Sequence, residues 1–218
     1  MELLLILKNE ALKLVKKTRA WLGPILIFIL IMVAFPLTVE LTSNNLSDAF
    51  YPVLFISILL VMMLATEDIF LEDYEDGTLE LFFISEKSLS QWVFLKILMH
   101  WLFIGVPISL LGAFFNIGAN NDFASSLMLF PALLIATYIF LILFCFGNSL
   151  SLTKGSVLGT LITLPLTLPI LVVLGKLNTA IIFNISYFEF LILLFGILSI
   201  IIFAFPAIIS RIIKTHLE

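Results

Sequence analysis

The sequence predicts an all-α, polytopic membrane protein, and three observations support this prediction. Of its 218 residues, 62% are hydrophobic and only 12% are charged, whereas soluble domains carry about 25% charged residues. The apolar residues form long runs, and about 20 such residues in a helix cross the hydrocarbon core of a bilayer. Lys and Arg concentrate in alternate connections between these runs. We therefore interpret residues 1–218 as a single transmembrane domain surrounded by lipid.

The first 20 residues form a separate amphipathic element. At helical spacing, Leu4, Leu7, Ala11, Leu14 and Val15 share one face, and the lysines are displaced from it. This pattern predicts a helix over residues 1–20 that lies in the membrane interface, with its cations near anionic headgroups. The alternative is a basic flank that only sets the orientation of the first span.

Six apolar segments follow, and each is long enough to span the membrane. Positively charged flanks are retained in the cytoplasm during insertion. With the N-terminus inside, ten of the eleven Lys and Arg residues lie on or near the cytoplasmic side, and only Lys176 lies outside. We therefore expect six spans and two cytoplasmic termini, with the spans at residues 22–41, 49–66, 91–115, 127–146, 155–174 and 188–210.

The connection over residues 67–90 is strongly acidic and also contains apolar residues. Eight of the 15 carboxylates of the chain lie between Glu67 and Glu86, where no Lys or Arg occurs. The Asp76-Gly77 pair predicts a turn between two short helices. Such an element can dock on a basic groove of a soluble partner, and the candidate docking residues are Glu72, Asp73, Asp76, Gly77, Glu80, Phe82 and Phe83. The alternatives are a solvated acidic loop and, with less support because no calcium-loop spacing is present, a metal site.

The third and fifth segments contain further candidate residues. Lys96 and His100 lie one helical turn apart, with Trp101 next to them. Ionisable residues within a span indicate function, so these three residues are candidates for contact with a substrate, against the alternative of a structural histidine. Gly155 and Gly159 form a G-x-x-x-G pattern that permits close packing of helices.

Several classes of function receive little support from the sequence. The sequence has no phosphate-binding loop, no H-E-x-x-H and no G-x-S-x-G motif. We therefore expect no catalytic residues, no metal site and no nucleic-acid partner. An ion-driven carrier or channel and an intramembrane enzyme remain as alternatives to a permease driven by a separate subunit.

Four stretches taken in order resemble the heme exporter protein B family, CcmB. They are F-L-E-D-Y-E-D-G-T-L-E-L at residues 70–81, K-x-x-x-H-W at 96–101, G-x-P at 105–107 and L-P-L-T-L-P-I at 164–170. Members of that family are permeases of the ABC transporter for cytochrome c maturation. The resemblance covers nearly the whole chain and agrees with six spans.

The resemblance implies a set of partners and a location. It implies two copies of the permease joined to an ATPase subunit that binds ATP and Mg²⁺, with heme-handling membrane subunits and a heme chaperone. The location would be the bacterial inner membrane, and residues 67–90 would be the segment that couples the chain to the ATPase. Heme would be present in the complex, exported across the membrane or released with its loaded chaperone, and the resemblance does not assign it as a cofactor bound by this chain.

Overall fold

The protein is a bundle of long helices. A computed structural model describes residues 2–38, 43–84, 88–120, 122–153, 156–183 and 185–217. These described residues form ten α-helices and one π-helical segment, and they contain no strand, which confirms the all-α prediction. The elements are α1 Glu2–Lys16, α2 Thr18–Thr38, α3 Ser43–Ala65, α4 Leu71–Glu75, α5 Thr78–Ile84, α6 Leu89–His100, the π segment Trp101–Gly105, α7 Val106–Asn120, α8 Phe123–Leu150, α9 Ser156–Phe183 and α10 Tyr187–Leu217.

Five stretches of the described helices are long and apolar enough to cross a membrane. They are Thr18–Thr38, Leu89–Ala119, Phe123–Leu150, Leu158–Phe183 and Tyr187–Leu217. The remaining predicted span corresponds to α3, in which the described apolar stretch Ala49–Ala65 is shorter than the other five. The class of a polytopic membrane protein is therefore confirmed, while the sixth span stays a prediction.

Two connections predicted as loops are largely helical. Helix α9 continues to Phe183, so Lys176 lies within the helix, exposed, rather than in a connection. Helix α7 extends to Asn120, and the carboxylate of Asp122 caps α8 by accepting hydrogen bonds from the backbone N–H groups of Ala124 and Ser125. The apolar segments predicted from the sequence mark where lipid is expected, and these helices extend beyond the ends of those segments.

Helix α8 is the centre of the bundle, and most of its length is buried. It meets α9 at two glycines, where a Cβ on Gly159 would overlap the carbonyl oxygen of Gly147. Only residues without side chains permit this close approach. The other glycine of the predicted G-x-x-x-G pair, Gly155, lies outside the described residues.

The third span is one continuous helix with a wider, π-helical turn in its middle. Helix α6 leads into the π segment Trp101–Gly105, and Val106 N–H bonds the carbonyl of Trp101, five residues earlier. Pro107 follows directly and lacks an N–H group, so the wider turn accompanies a break in the regular α-helical hydrogen bonds. The turn lies next to Lys96 and His100 and therefore helps to set the positions of the candidate residues on this span.

Candidate functional site

The acidic connection folds as two short helices, which confirms that part of the prediction. Helix α4 is followed by Gly77, whose φ of 75° lies in the left-handed region that glycine adopts without strain, and α5 then begins at Thr78. The carboxylate of Asp76 accepts a hydrogen bond of 2.9 Å from Thr78 N–H. Hydrogen bonding to Thr78 holds the pKa of Asp76 below its ordinary value.

Aromatic packing fixes this pair of short helices against α6. Trp92 of α6 is fully buried, and its ring lies 6.3 Å from that of Phe70 and 5.4 Å from that of Phe82. Leu79 of α5 is also fully buried. Buried apolar area of this kind stabilises the folded arrangement, so the segment is anchored rather than a freely solvated loop.

The candidate docking residues divide into two sets. The predicted residues Glu72, Asp76, Glu80 and Phe83 are exposed, and the neighbouring Leu81, which was not among the candidates, is exposed as well. Asp73 and Phe82, also predicted as docking residues, instead face inward: Asp73 is 2% exposed, and Phe82 packs on Trp92. The exposed set therefore combines negative charge with two large apolar side chains.

The buried carboxylate of Asp73 belongs to a cluster of charges. Lys96 of α6 donates a hydrogen bond to its Oδ2 atom, and Lys13 of α1 donates one of 2.8 Å to its Oδ1 atom. The Lys96 Nζ atom also lies 3.6 Å from Oε2 of Glu10 on α1. Lys96 is 5% exposed and Glu10 is 4% exposed, so both charged side chains lie inside the protein. We refer to Glu10, Lys13, Asp73 and Lys96 as the charge cluster.

The cluster is electrically balanced and hydrogen-bonded, as buried charges must be. Its two lysines face two carboxylates. Trp92 Nε1–H donates to Oε1 of Glu10 at 3.2 Å, and the Lys96 ammonium lies 5.0 Å from the centre of the Trp92 ring, within the range of a cation–π contact. Burial alone would lower the pKa of Lys13, but the hydrogen bond and charge of Asp73 raise it above its ordinary value.

Glu10 was not singled out from the sequence, although a signal was present. It lies three residues after Leu7 and four before Leu14, so a carboxylate interrupts the apolar stripe of α1. In the structure Leu14 is buried beside it, whereas Val15, predicted on the same face, is 55% exposed. The stripe of α1 that packs inward is therefore partly charged.

A wide cleft of about 1190 Å³ borders the charge cluster. Its walls come from α1, the start of α2, the end of α3 and the segment with α4, and they include the cluster residues and His100. Cations and carboxylates both line it, together with apolar side chains such as Ile27 and Leu64. A cleft of this composition can hold an amphipathic molecule or can admit water to the charge cluster.

His100 and Trp101 have different surroundings although they are adjacent. The Nδ1 atom of His100 is 2.9 Å from the carbonyl oxygen of Lys96, which accepts its hydrogen and leaves Nε2 as the basic nitrogen. Trp101 instead packs toward α8: its Nε1–H donates to the Leu134 carbonyl and the Thr137 hydroxyl, at 3.3 and 3.2 Å. His100 borders the cleft, whereas Trp101 joins two spans.

Within the described part of the chain, no group of three or more His, Cys, Asp or Glu side chains has the arrangement of a metal site. The carboxylates of the charge cluster are paired with lysines, and Cys145 is buried. The ion pairs of the charge cluster are therefore suited to holding helices together and to positioning side chains.

Comparison with known proteins identifies the family of this chain. The family described as CcmB protein matches residues 1–212. A heme exporter protein B from Pseudomonas aeruginosa is 30% identical over 77% of this chain and 76% of its own length. A heme exporter protein B from Haemophilus influenzae is 28% identical over 84% of this chain and 83% of its own length. A ccmB-like mitochondrial protein of Marchantia polymorpha, named for cytochrome c biogenesis, is 26% identical over 88% of this chain and 66% of its own length. The resemblance found in the sequence is therefore confirmed, and the chain belongs to the CcmB protein family.

Proposed function

We propose that this chain is the membrane-spanning permease subunit of an ABC transporter needed for cytochrome c maturation. The observation that carries the proposal is the segment with α4 and α5. Its inner side is fixed to α1 and α6 through Asp73 and Trp92, while Glu72, Asp76 and Glu80 face outward. Family membership and the names of the relatives support the same role.

The partner at this segment is an ATPase subunit that supplies the energy. Its basic groove would receive the exposed carboxylates, and Leu81 and Phe83 would fill apolar depressions next to it. Because the segment is anchored to α6, a force on it reaches the third span directly. ATP and Mg²⁺ would bind to the partner, and this chain would have no catalytic residue of its own.

The proposed assembly has further members. A second copy of the permease, heme-handling membrane subunits and a heme chaperone complete it in the bacterial inner membrane. The distribution of Lys and Arg supports cytoplasmic termini and a cytoplasmic location for residues 67–90.

Heme is the cargo in this proposal, exported directly or released with a loaded chaperone. His100 is the residue of the cleft best suited to contact it, because its Nε2 atom stays available while Nδ1 is held by Lys96. Lys96 is the positioning partner of that histidine, and Trp101, beside it, joins the third span to α8.

Reversal of the exposed charges tests the docking role. Glu72→Lys, Asp76→Lys and Glu80→Lys are combined in one variant, and the ATPase subunit that co-purifies in detergent is measured together with cytochrome c maturation. We expect loss of both, because a basic groove repels the reversed charges. The matched control is Glu189→Lys, an exposed carboxylate in the first turn of α10. Full recovery of the ATPase with normal maturation would contradict the docking role.

The orientation is tested by cysteine labelling. Cys145 is buried, so a single cysteine introduced by Glu75→Cys, at an exposed position of α4, would give the main signal. In spheroplasts, we expect the introduced cysteine not to react with a membrane-impermeant maleimide. After lysis, we expect it to react rapidly. Labelling before lysis would place the segment outside and exclude a cytoplasmic ATPase as its partner.

A further inference from the structure

The charge cluster connects three elements that are distant in the sequence. Glu10 and Lys13 belong to α1, Asp73 belongs to α4, and Lys96 belongs to α6 of the third span. Lys96 is central, because its ammonium contacts both carboxylates. Separating any of the three elements would leave a buried charge without its partner, which is strongly unfavourable in a low-dielectric interior.

Helix α1 depends on charged side chains for its link to α4. Lys13 bonds Asp73, and Lys17, just beyond the end of α1, bonds Glu72 at the exposed rim. The outward side chains of α1 include Leu12 and Val15, which do not pack on the rest of the described chain to any large extent. Ion pairs thus link α1 to α4.

The cluster also differs from a closed apolar core in its access to water. Lys13, Asp73 and Lys96 all border the cleft. Water in the cleft can solvate these charges if the helices separate slightly, which lowers the cost of a partial opening. A contact of this kind holds the elements in register and still permits a small relative shift.

We propose that Lys96 and Glu10 are positioning residues that make α1 part of the coupling element, so that α1, α4 and the third span shift together when the partner acts on the exposed carboxylates. The identity of that partner rests on the proposed function, whereas the joint itself is a property of this chain alone. Helix α1 is therefore a transmitting part and not only a membrane anchor.

Hydrogen exchange of the whole purified chain in nanodiscs tests the joint. Glu10→Gln keeps the shape of the side chain and an acceptor for Trp92 N–H, and it removes only the charge that faces Lys96. We expect exchange at the amides of both α1 and α4 to become at least about tenfold faster, with α8 unchanged. Lys16→Gln, an exposed lysine of the same helix, is the control and should leave α4 unchanged. Faster exchange in α1 with α4 unaffected would overturn the proposal.

A second pair of variants distinguishes loss of the central charge from a general loss of structure. Lys96→Arg keeps a cation between Glu10 and Asp73, whereas Lys96→Met removes it. Protection of the α1 and α4 amides from exchange should be largely retained in Lys96→Arg. In Lys96→Met it should be lost in both helices. Equal exchange in Lys96→Met and the parent chain would also overturn the proposal.

Measurements on the full complex separate the two proposals. With Glu10→Gln we expect normal recovery of the ATPase subunit but reduced cytochrome c maturation, because the exposed docking carboxylates are intact and only the joint is weakened. Normal maturation with a released α1 would exclude the positioning role. If no ATPase accompanies the parent chain, the proposed function fails, while the exchange result still decides whether the joint exists.

Discussion

Two contacts in this molecule hold helices together by opposite means. At the contact of Gly147 with Gly159, the backbones of α8 and α9 touch, and an added Cβ has no room. In the charge cluster, long side chains from α1, α4 and α6 meet beside an open cleft. The first contact uses the smallest residues of the chain, and the second uses some of the longest.

The difference between these contacts lies in how each interaction weakens with distance. About half of the dispersion between touching atoms is lost when a gap of about 1 Å opens, so the glycine contact weakens steeply as the helices separate. Coulomb attraction falls only as the inverse of distance, so the charge cluster retains attraction during a small shift. The α8–α9 pair is therefore suited to a rigid scaffold, and the charge cluster is suited to a joint.

The largest effect is expected from filling the glycine contact. Gly159→Ala places a Cβ on the backbone of Gly147 and should destabilise the purified protein by at least about 3 kcal/mol, since backbone atoms cannot move aside as side chains do. Gly175→Ala is the matched control in the same helix, because nothing lies within 4 Å of its added Cβ. That control should be neutral or stabilise the helix by up to about 1 kcal/mol. Denaturant titration in detergent measures both, and equal effects would contradict the close contact.

The next largest effect is expected from removing the central cation. Lys96→Met removes one of the two cations that balance Glu10 and Asp73 and should cost about 3 kcal/mol, the lower end of the range for a broken buried ion pair. Lys17→Met removes an ion pair whose side chains are 52% and 56% exposed, and it should cost no more than about 1 kcal/mol. The same titration compares the two. A similar cost in both variants would show that burial adds nothing to the charge cluster.

Replacement of His100 should change the free energy of unfolding by an intermediate amount and should have a large effect on function. His100→Ala loses one hydrogen bond to the Lys96 carbonyl and should cost about 1 kcal/mol, so the protein should still assemble with its partners. Cytochrome c maturation should nevertheless fall strongly if Nε2 contacts the cargo. The amounts of assembled complex and of mature cytochrome c are measured in parallel. A loss of maturation that only follows a loss of protein would indicate a structural histidine.

A smaller effect is expected at the neutral hydrogen bonds within the spans. Thr137 accepts from Trp101 Nε1–H, and its hydroxyl lies 3.2 Å from that of Ser109. Thr137→Val keeps the shape and should cost about 0.6 kcal/mol, the average found for hydrogen bonds between membrane helices. Thr179→Val is the control, because that exposed hydroxyl bonds only its own helix at the Gly175 carbonyl. A cost above that of Lys96→Met would reverse the order proposed for charged and neutral contacts.

The smallest effect is expected from titration of Asp76. Its pKa is lowered in the folded chain, so its contribution is present above the ordinary value of 3.8 and is lost as the pH falls through the lower folded value. The side chain is exposed, so solvent screening keeps this contribution small. Asp76→Ala should slightly flatten the acid limb of the curve of stability against pH. An unchanged acid limb in Asp76→Ala would contradict the role of the Thr78 hydrogen bond.

Much of the candidate site could be predicted from local sequence. The acidic connection, its break at Gly77 and the shared face of Lys96 and His100 depend on residues close together in the chain, and the structure confirms the two short helices. The exposure of individual carboxylates could not be predicted in this way. Glu72 and Asp73 are neighbours of the same residue class, yet one lies at the surface and the other is buried.

The sequence by itself determined the class of the protein, because the length and polarity of helical runs decide whether lipid or water surrounds them. It also determined the family, since the motifs that carry it are short and local. Only the tertiary structure decided that Glu10, Asp73 and Lys96 form one cluster. Burial and pairing depend on the distance between segments that are far apart in the chain, and no pattern within one segment contains that distance.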